Sequence, residues 1–159
     1  WICSKKPTIL GSATGAIAGL AAITPASGFV DVRGALIIGA VSSIICFIMV
    51  VVVKSKFGYD DALDAFGVHG IGGIWGSLAV GVFAVTSVQP SYSGLLSGNY
   101  NLIKAQILAV GVTSVYSFAA TYAIYRILDV VMGLRINEDD EAMGLDITQH
   151  NERAYTVIE

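Results

Sequence analysis

Charge is what this sequence lacks. Only 13% of its 159 residues are Asp, Glu, Lys or Arg, against about a quarter in an ordinary soluble domain. Too few charges remain to wet the surface of a compact globule, so a soluble fold is excluded. Cysteine is also scarce. The two present, Cys3 and Cys46, make no disulfide framework, and Cys46 lies in an apolar run where it packs as a small hydrophobe. Two histidines and two cysteines scattered along the chain offer no metal-ligand spacing. There is no GxxxxGK(S/T) loop and no GxGxxG after a strand, so nothing asks for a nucleotide or another cofactor, and no feature points to nucleic acid. A nucleophile elbow is missing too, which argues against an enzyme. The chain opens on Trp1 instead of Met, and its first segment lacks the short apolar stretch and cleavage site of a signal peptide. The natural protein is expected to extend upstream.

What is present is length of apolar run. No charged residue occurs between Pro7 and Val30, between Gly34 and Val53, between Ala65 and Ile103 (His69 counted as neutral), or between Ala105 and Tyr125. A bilayer core takes about 20 apolar residues per helix, and each run can supply them. The pattern predicts an all-α, polytopic membrane helix bundle with four spans, at about residues 8–24, 34–53, 61–85 and 102–132, followed by a cytoplasmic tail over residues 133–159. Pro7 and Pro25 suit the start and end of the first span. Residues 89–101, rich in Gly, Ser and Asn, read as an exposed loop.

Lysine and arginine placement sets the orientation. With the amino end inside, that side holds Lys5, Lys6, Lys54, Lys56, Arg126, Arg135 and Arg153, and the other side only Arg33 and Lys104. The tail is acidic, net −5 against +2 for everything before it. Gly133 is placed to cap the fourth helix. Asn137 followed by Glu138, Asp139, Asp140 and Glu141 resembles a helix start, and Gly144 a helix end. Apolar Leu134, Ile136, Met143, Leu145 and Ile147 suggest that the tail docks on something. Gly11, Gly15 and Gly19, like Gly72 and Gly76, recur every four residues, the spacing that lets membrane helices approach closely.

The third span carries the chemistry. Asp60, Asp61 and Asp64 cluster at its expected cytoplasmic start, where a helix N-terminus and nearby lysines favour carboxylates. His69 follows Asp61 by eight residues, which in one continuous helix is ~12 Å, near the middle of a ~30 Å hydrocarbon core. An ionisable group at that depth faces a cavity or a partner. The alternative is a neutral histidine hydrogen-bonded to another helix. Gly72, Gly73 and Gly76 are expected to leave room beside the imidazole. Trp75 and the fourth-span tyrosines read as packing or interface residues.

The segment DDALDAFGVHGIGGIWG, residues 60–76, resembles the second histidine-bearing helix of the Amt/Mep/Rh ammonium transporters. KKPTILGSATGAIAGLAAITPASGFV, residues 5–30, is similar to that family's eighth helix and following loop. GLRINEDDEAMGLDITQHNERAY, residues 133–155, is similar to its cytoplasmic carboxyl-terminal region. The resemblance is to the bacterial and archaeal Amt branch and covers essentially the whole chain in order. It implies an eleven-helix fold of two inverted five-helix repeats, assembled as a homotrimer with one pore per subunit, of which this chain would be the last four helices and the tail.

By the same resemblance His69 is the second member of a twin-histidine pair in a hydrophobic pore, with Thr14, Ile17, Thr24 and Ala65 at or near the wall. The first histidine, the outer aromatic cation site and the phenylalanine gate belong to helices absent from this chain. The implied activity is passage of ammonium across the membrane, neutral ammonia and a proton being carried separately. The implied partner is a PII-type signal protein at the cytoplasmic face, and the regulatory tail would include Gly133, Arg135, Glu141, Gly144, Asp146, Arg153 and Tyr155. An ammonium sensor, or a non-conducting scaffold of the same fold, is the competing reading.

Overall fold

In the computed structural model, which describes residues 6–152, every regular element among the described residues is helical. Among them four helices are long and apolar enough to cross a membrane: α1 (Ile9–Ala26), α2 (Val32–Phe57), α3 (Phe66–Phe83) and α4 (Tyr100–Met132). At 1.5 Å per residue, α1 and α3 are each about 27 Å long, α2 about 39 Å and α4 about 50 Å. Two short helices follow, α5 (Glu138–Met143) and α6 (Leu145–Thr148). The chain divides into two compact units, Trp1–Thr113 and Ser114–Glu159, with α4 contributing to each.

Local sequence explains where the helices of the first unit begin and end. Thr8 Oγ1 accepts from the Gly11 N–H at 3.0 Å, and Asp31 Oδ1 accepts from the Gly34 N–H at 2.8 Å. Each thereby satisfies one of the donors a helix start leaves free. Pro25 lies in a 3-10 turn, Thr24–Ala26, that tightens the end of α1. Gly58 closes α2 at φ 62°, a left-handed conformation that costs glycine little, and its N–H returns to the Lys54 carbonyl at 2.8 Å.

The packed centre of this unit is built from small residues. Ala22, Ala26, Ile38, Ala79, Val80 and Ala84 form one buried cluster, none more than 3% exposed. The only side chain a β-carbon at Gly76 would have is already too large, because it would run into the backbone carbonyl of Ala22. Helix axes in lipid come together through such close backbone approach, since no hydrophobic drive operates between them. Ser42 is fully buried and donates to the Ala18 carbonyl at 2.9 Å, tying α2 to α1. Trp75 Nε1 donates to the Ile38 carbonyl at 3.1 Å, so this tryptophan packs α3 on α2. The outer surfaces of this chain are apolar, with Leu20, Leu36, Ile44 and Leu108 all more than 60% exposed, a surface suited to lipid or to further helices.

In the second unit the last half of α4 presents Val115, Tyr116, Phe118 and Tyr122 outward. Gly133 follows it at φ 70°, its N–H donating to the Asp129 carbonyl at 3.0 Å. Asn137 occupies the position before α5, and all four acids Glu138 to Glu141 lie in the first turn, but the Asn137 side chain makes no capping bond. Arg135 Nη2 meets Glu141 Oε2 at 3.0 Å. Gly144 links α5 to α6 at φ 104°, and Thr148 Oγ1 donates to the carbonyls of Gly144 and Asp140. Asp146 is half-buried in α6, its backbone carbonyl accepting from the Glu152 N–H at 2.8 Å. Arg153 and Tyr155 lie outside the described residues.

Candidate functional site

The helix bearing His69 starts later than its sequence suggests. A continuous helix from Asp61 is replaced by an irregular connector over residues 58–65, and α3 begins at Phe66. Asp61 still serves the helix, from outside it. Its Oδ2 accepts from the Phe66 N–H at 3.1 Å and the Gly67 N–H at 3.2 Å. Asp64 sits in the preceding turn at φ 55°, and its Oδ1 meets Lys54 Nζ at 2.7 Å. Asp60 is exposed. A run of acids shows where donors need capping but not which turn interrupts the helix, so the sequence placed the start too early.

His69 therefore lies in the first turn of α3, a π-wound segment Phe66–Gly70. Wide turns of this kind are rare and gather at functional positions. Depth along the bundle comes from the neighbours. A β-carbon on Gly67 would stand 2.9 Å from Val50 Cγ2, and Cys46 Sγ lies 3.8 Å from the Val68 carbonyl. Val50 and Cys46 precede the α2 terminus at Phe57 by seven and eleven residues, or about 10 and 16 Å. The connector has descended into the bundle before α3 begins.

Within this chain the imidazole is exposed and lies off the packed face of α3. Val68, Gly67 and Gly72 form the packed face, while Phe66 and His69 point away from it. The glycines beside His69 are not equivalent. Gly72 and Gly76 use their smallness on close approach to α1 and α2, contrary to the expectation that both leave space for the ring. Gly73, one turn beyond His69, has nothing within 4 Å of where its β-carbon would stand. That position is the open one.

Of the remaining expected wall residues, Thr14, Ile17 and Thr24 are spread along α1 and Ala65 precedes α3. Ile17, 44% exposed, adjoins Ala18, whose carbonyl lies near Gly72. Thr24 is exposed, spends its hydroxyl on the Leu20 carbonyl at 2.7 Å, and lies two residues beyond Ala22, the partner of Gly76. Gly76 follows His69 by seven residues, so Thr24 stands about two turns away from the imidazole. Ala65 is exposed directly ahead of α3. Thr14 is half-buried and faces a separate cavity of about 320 Å³ between α1 and α2, lined also by Gly15, Ala18, Cys46, Val50, Asp64 and Val68. Thus Thr14 and Asp64 share one cavity, and His69 is not on its wall. Among the described residues no three His, Cys, Asp or Glu side chains gather as a metal site would require.

Residues 1–155 match the model of the Ammonium Transporter Family. The chain belongs to that family. An ammonium transporter of Bacillus subtilis is 52% identical over 156 residues, covering 98% of this chain and 39% of its own length. Ammonium transporter Amt1 of Archaeoglobus fulgidus is 50% identical over 157 residues, with the same 98% and 39% coverage. The crystal structure of Saccharomyces cerevisiae Mep2 superposes with a TM-score of 0.80 at 30% identity, over 99% of this chain and 37% of that one. The chain thus spans about two-fifths of the length of these ammonium transporters. What the chain shares with this family is an all-helical fold with four helices that are, among the described residues, long and apolar enough to cross a membrane.

Lys54 is one of four lysines, with Lys5, Lys6 and Lys56, expected to pair with the acids at the start of the third span, and among the described residues it is the one that meets Asp64. The spacing does not say which lysine reaches which acid, because the turn that joins Lys54 and Asp64 is irregular. For Ser42 the sequence allows a bond to its own helix or across to another, and the structure shows the second, to Ala18.

Proposed function

We propose that this chain is the carboxyl-terminal part of an ammonium transporter, and that His69 lines the path of the permeating molecule. One observation carries the reading: an ionisable imidazole sits in the π-wound first turn of α3, off the face packed through Gly67, Val68 and Gly72, where that turn meets Val50 and Cys46 about 10 to 16 Å inside the α2 terminus. An ammonium ion entering such surroundings bare would pay a large desolvation cost. Deprotonation outside lets neutral ammonia cross while the proton travels separately. An imidazole suits this role because one ring nitrogen donates and the other accepts, and the two exchange roles. The first histidine of the pair would come from helices that precede this chain in the full-length protein.

The test uses the full-length protein in liposomes. His69→Ala should reduce the ammonium-evoked current to background while insertion and oligomer size match the wild type. An unchanged current overturns the role, and binding of ammonium without any current would favour the sensor. The protein acts as a homotrimer, multi-pass in the cell membrane, with both the amino end of this chain and the tail in the cytoplasm. The tail couples subunits to a PII-type signal protein. Exposed Leu134, Met143, Leu145 and Ile147 support a docking role. Removal of residues 133–159 should abolish inhibition by that protein, and normal inhibition after removal would dismiss the tail.

A further inference from the structure

One ammonium group organises the irregular connector between α2 and α3. Lys54 Nζ donates to the Asp61 carbonyl at 2.6 Å and to Asp64 Oδ1 at 2.7 Å. These two acceptors are the ends of a single turn, closed by the Asp64 N–H donating to the Asp61 carbonyl at 3.0 Å. Asp61 turns its carboxylate the other way, to the Phe66 and Gly67 N–H groups that open α3. The Asp64 carbonyl accepts from the Val68 N–H at 2.9 Å, one residue before His69. Every bond in this chain of contacts runs from Lys54 toward the turn that carries the imidazole.

The turn needs such a clamp. Asp64 holds a left-handed conformation at φ 55°, which a residue with a β-carbon keeps only where its surroundings determine it. Asp60, Asp61 and Asp64 also crowd three carboxylates into five residues, a repulsion that a nearby cation relieves. Lys54 and Asp64 are each less than one-third exposed, so solvent screens the pair only partly. Lys56, two residues on, is exposed and forms no ion pair among the described residues.

We infer that Lys54 is a positioning residue: it fixes the turn from which α3 starts, and with it the depth and rotation of His69. Its consequence for transport rests on the proposed role of His69; its consequence for geometry does not. Lys54→Met removes the charge at similar length, Asp64→Asn removes the partner's charge without changing its shape, and Lys56→Met is the control. Each is made in the full-length protein in liposomes labelled with 15N-histidine. The His69 ring signals are those that vanish in His69→Gln.

Lys54→Met and Asp64→Asn should both move the His69 signals. The ammonium-evoked current of Lys54→Met should fall about tenfold or more, since misplacing a group by about 1 Å costs up to about a hundredfold where geometry is critical. Lys54→Arg, which keeps the charge and can still bridge carboxylate and carbonyl, should restore both readings. His69 signals unmoved in Asp64→Asn and in Lys54→Met refute the inference whatever the current does, and if Lys54→Met fails to fold, Asp64→Asn alone decides. Failure of arginine to restore the signals also refutes it, because packing and not charge would then set the turn. Signals that move while the current stays at wild type leave the inference standing and remove His69 from the transport path.

Discussion

Gly73 and Gly76 are the same residue in the same helix, yet their surroundings predict opposite outcomes. A β-carbon at Gly76 would enter the Ala22 carbonyl and stand 2.9 Å from its carbon and 3.1 Å from Ala22 Cα. Backbone cannot rotate aside as a side chain can, so Gly76→Ala must push α1 and α3 apart. The cluster of Ala22, Ala79, Val80 and Ala84 would then open. Overpacking costs about 1–3 kcal/mol, and contact with backbone puts this case at the upper end. The better helix propensity of alanine returns up to about 1 kcal/mol. The net loss is about 2 kcal/mol, a shift of roughly thirtyfold in the unfolding equilibrium. At Gly73 nothing in this chain stands within 4 Å of a β-carbon, so Gly73→Leu leaves the α1–α3 contact intact but projects beside His69. Two assays on the full-length protein separate the cases: denaturation by SDS titration in mixed micelles, and ammonium-evoked current in liposomes. Gly76→Ala should unfold at lower SDS; Gly73→Leu should unfold with the wild type and lose current. A wild-type midpoint for Gly76→Ala would refute the close α1–α3 approach. Full current in Gly73→Leu would refute the open face as the path.

Other positions give smaller, separable effects. Ser42→Ala removes a fully buried bond to the Ala18 carbonyl; interhelical bonds of this kind average about 0.6 kcal/mol, so the SDS midpoint should drop slightly and the current stay. Asp61→Ala leaves the Phe66 and Gly67 N–H groups without their acceptor and should cost about 0.5–2 kcal/mol, whereas Asp61→Asn keeps an acceptor and should recover most of it. In the tail, the Arg135–Glu141 pair is well exposed, at 73% and 50%. A double-mutant cycle on it should give less than about 1 kcal/mol at low salt and vanish at high salt, as surface pairs do. A coupling that survives high salt would show that the pair is covered in the assembled protein.

The helices were legible because charge-free runs report the solvent directly: lipid excludes Asp, Glu, Lys and Arg whatever the packing. The all-helical class follows from the same fact, since only helices or closed barrels satisfy their backbone in lipid. Position within the bundle was less legible. The start of α3 depends on a left-handed Asp64, and aspartate tolerates that conformation without requiring it. The glycine rows announced close packing but not which members touch, because a residue without a side chain leaves no trace of its neighbour. Gly76 meets backbone and Gly73 meets nothing, a difference that only the relative rotation of α1 and α3 decides. The exposure of His69 likewise depends on which helices surround it, not on its own flanking residues.

The descent of the connector has an electrical consequence. Backbone outside a helix must find water or protein for its N–H and C=O groups at every depth it reaches. Residues 58–65 carry such backbone from the α2 terminus to the start of α3, where Gly67 meets Val50 about 10 Å further in. Water reaching these groups would narrow the insulating layer on that side, so the membrane voltage would fall over less than the full lipid width. On the proposed path a proton passing the first turn of α3 would then cross a steeper local field, and its transfer would respond more sharply to applied potential.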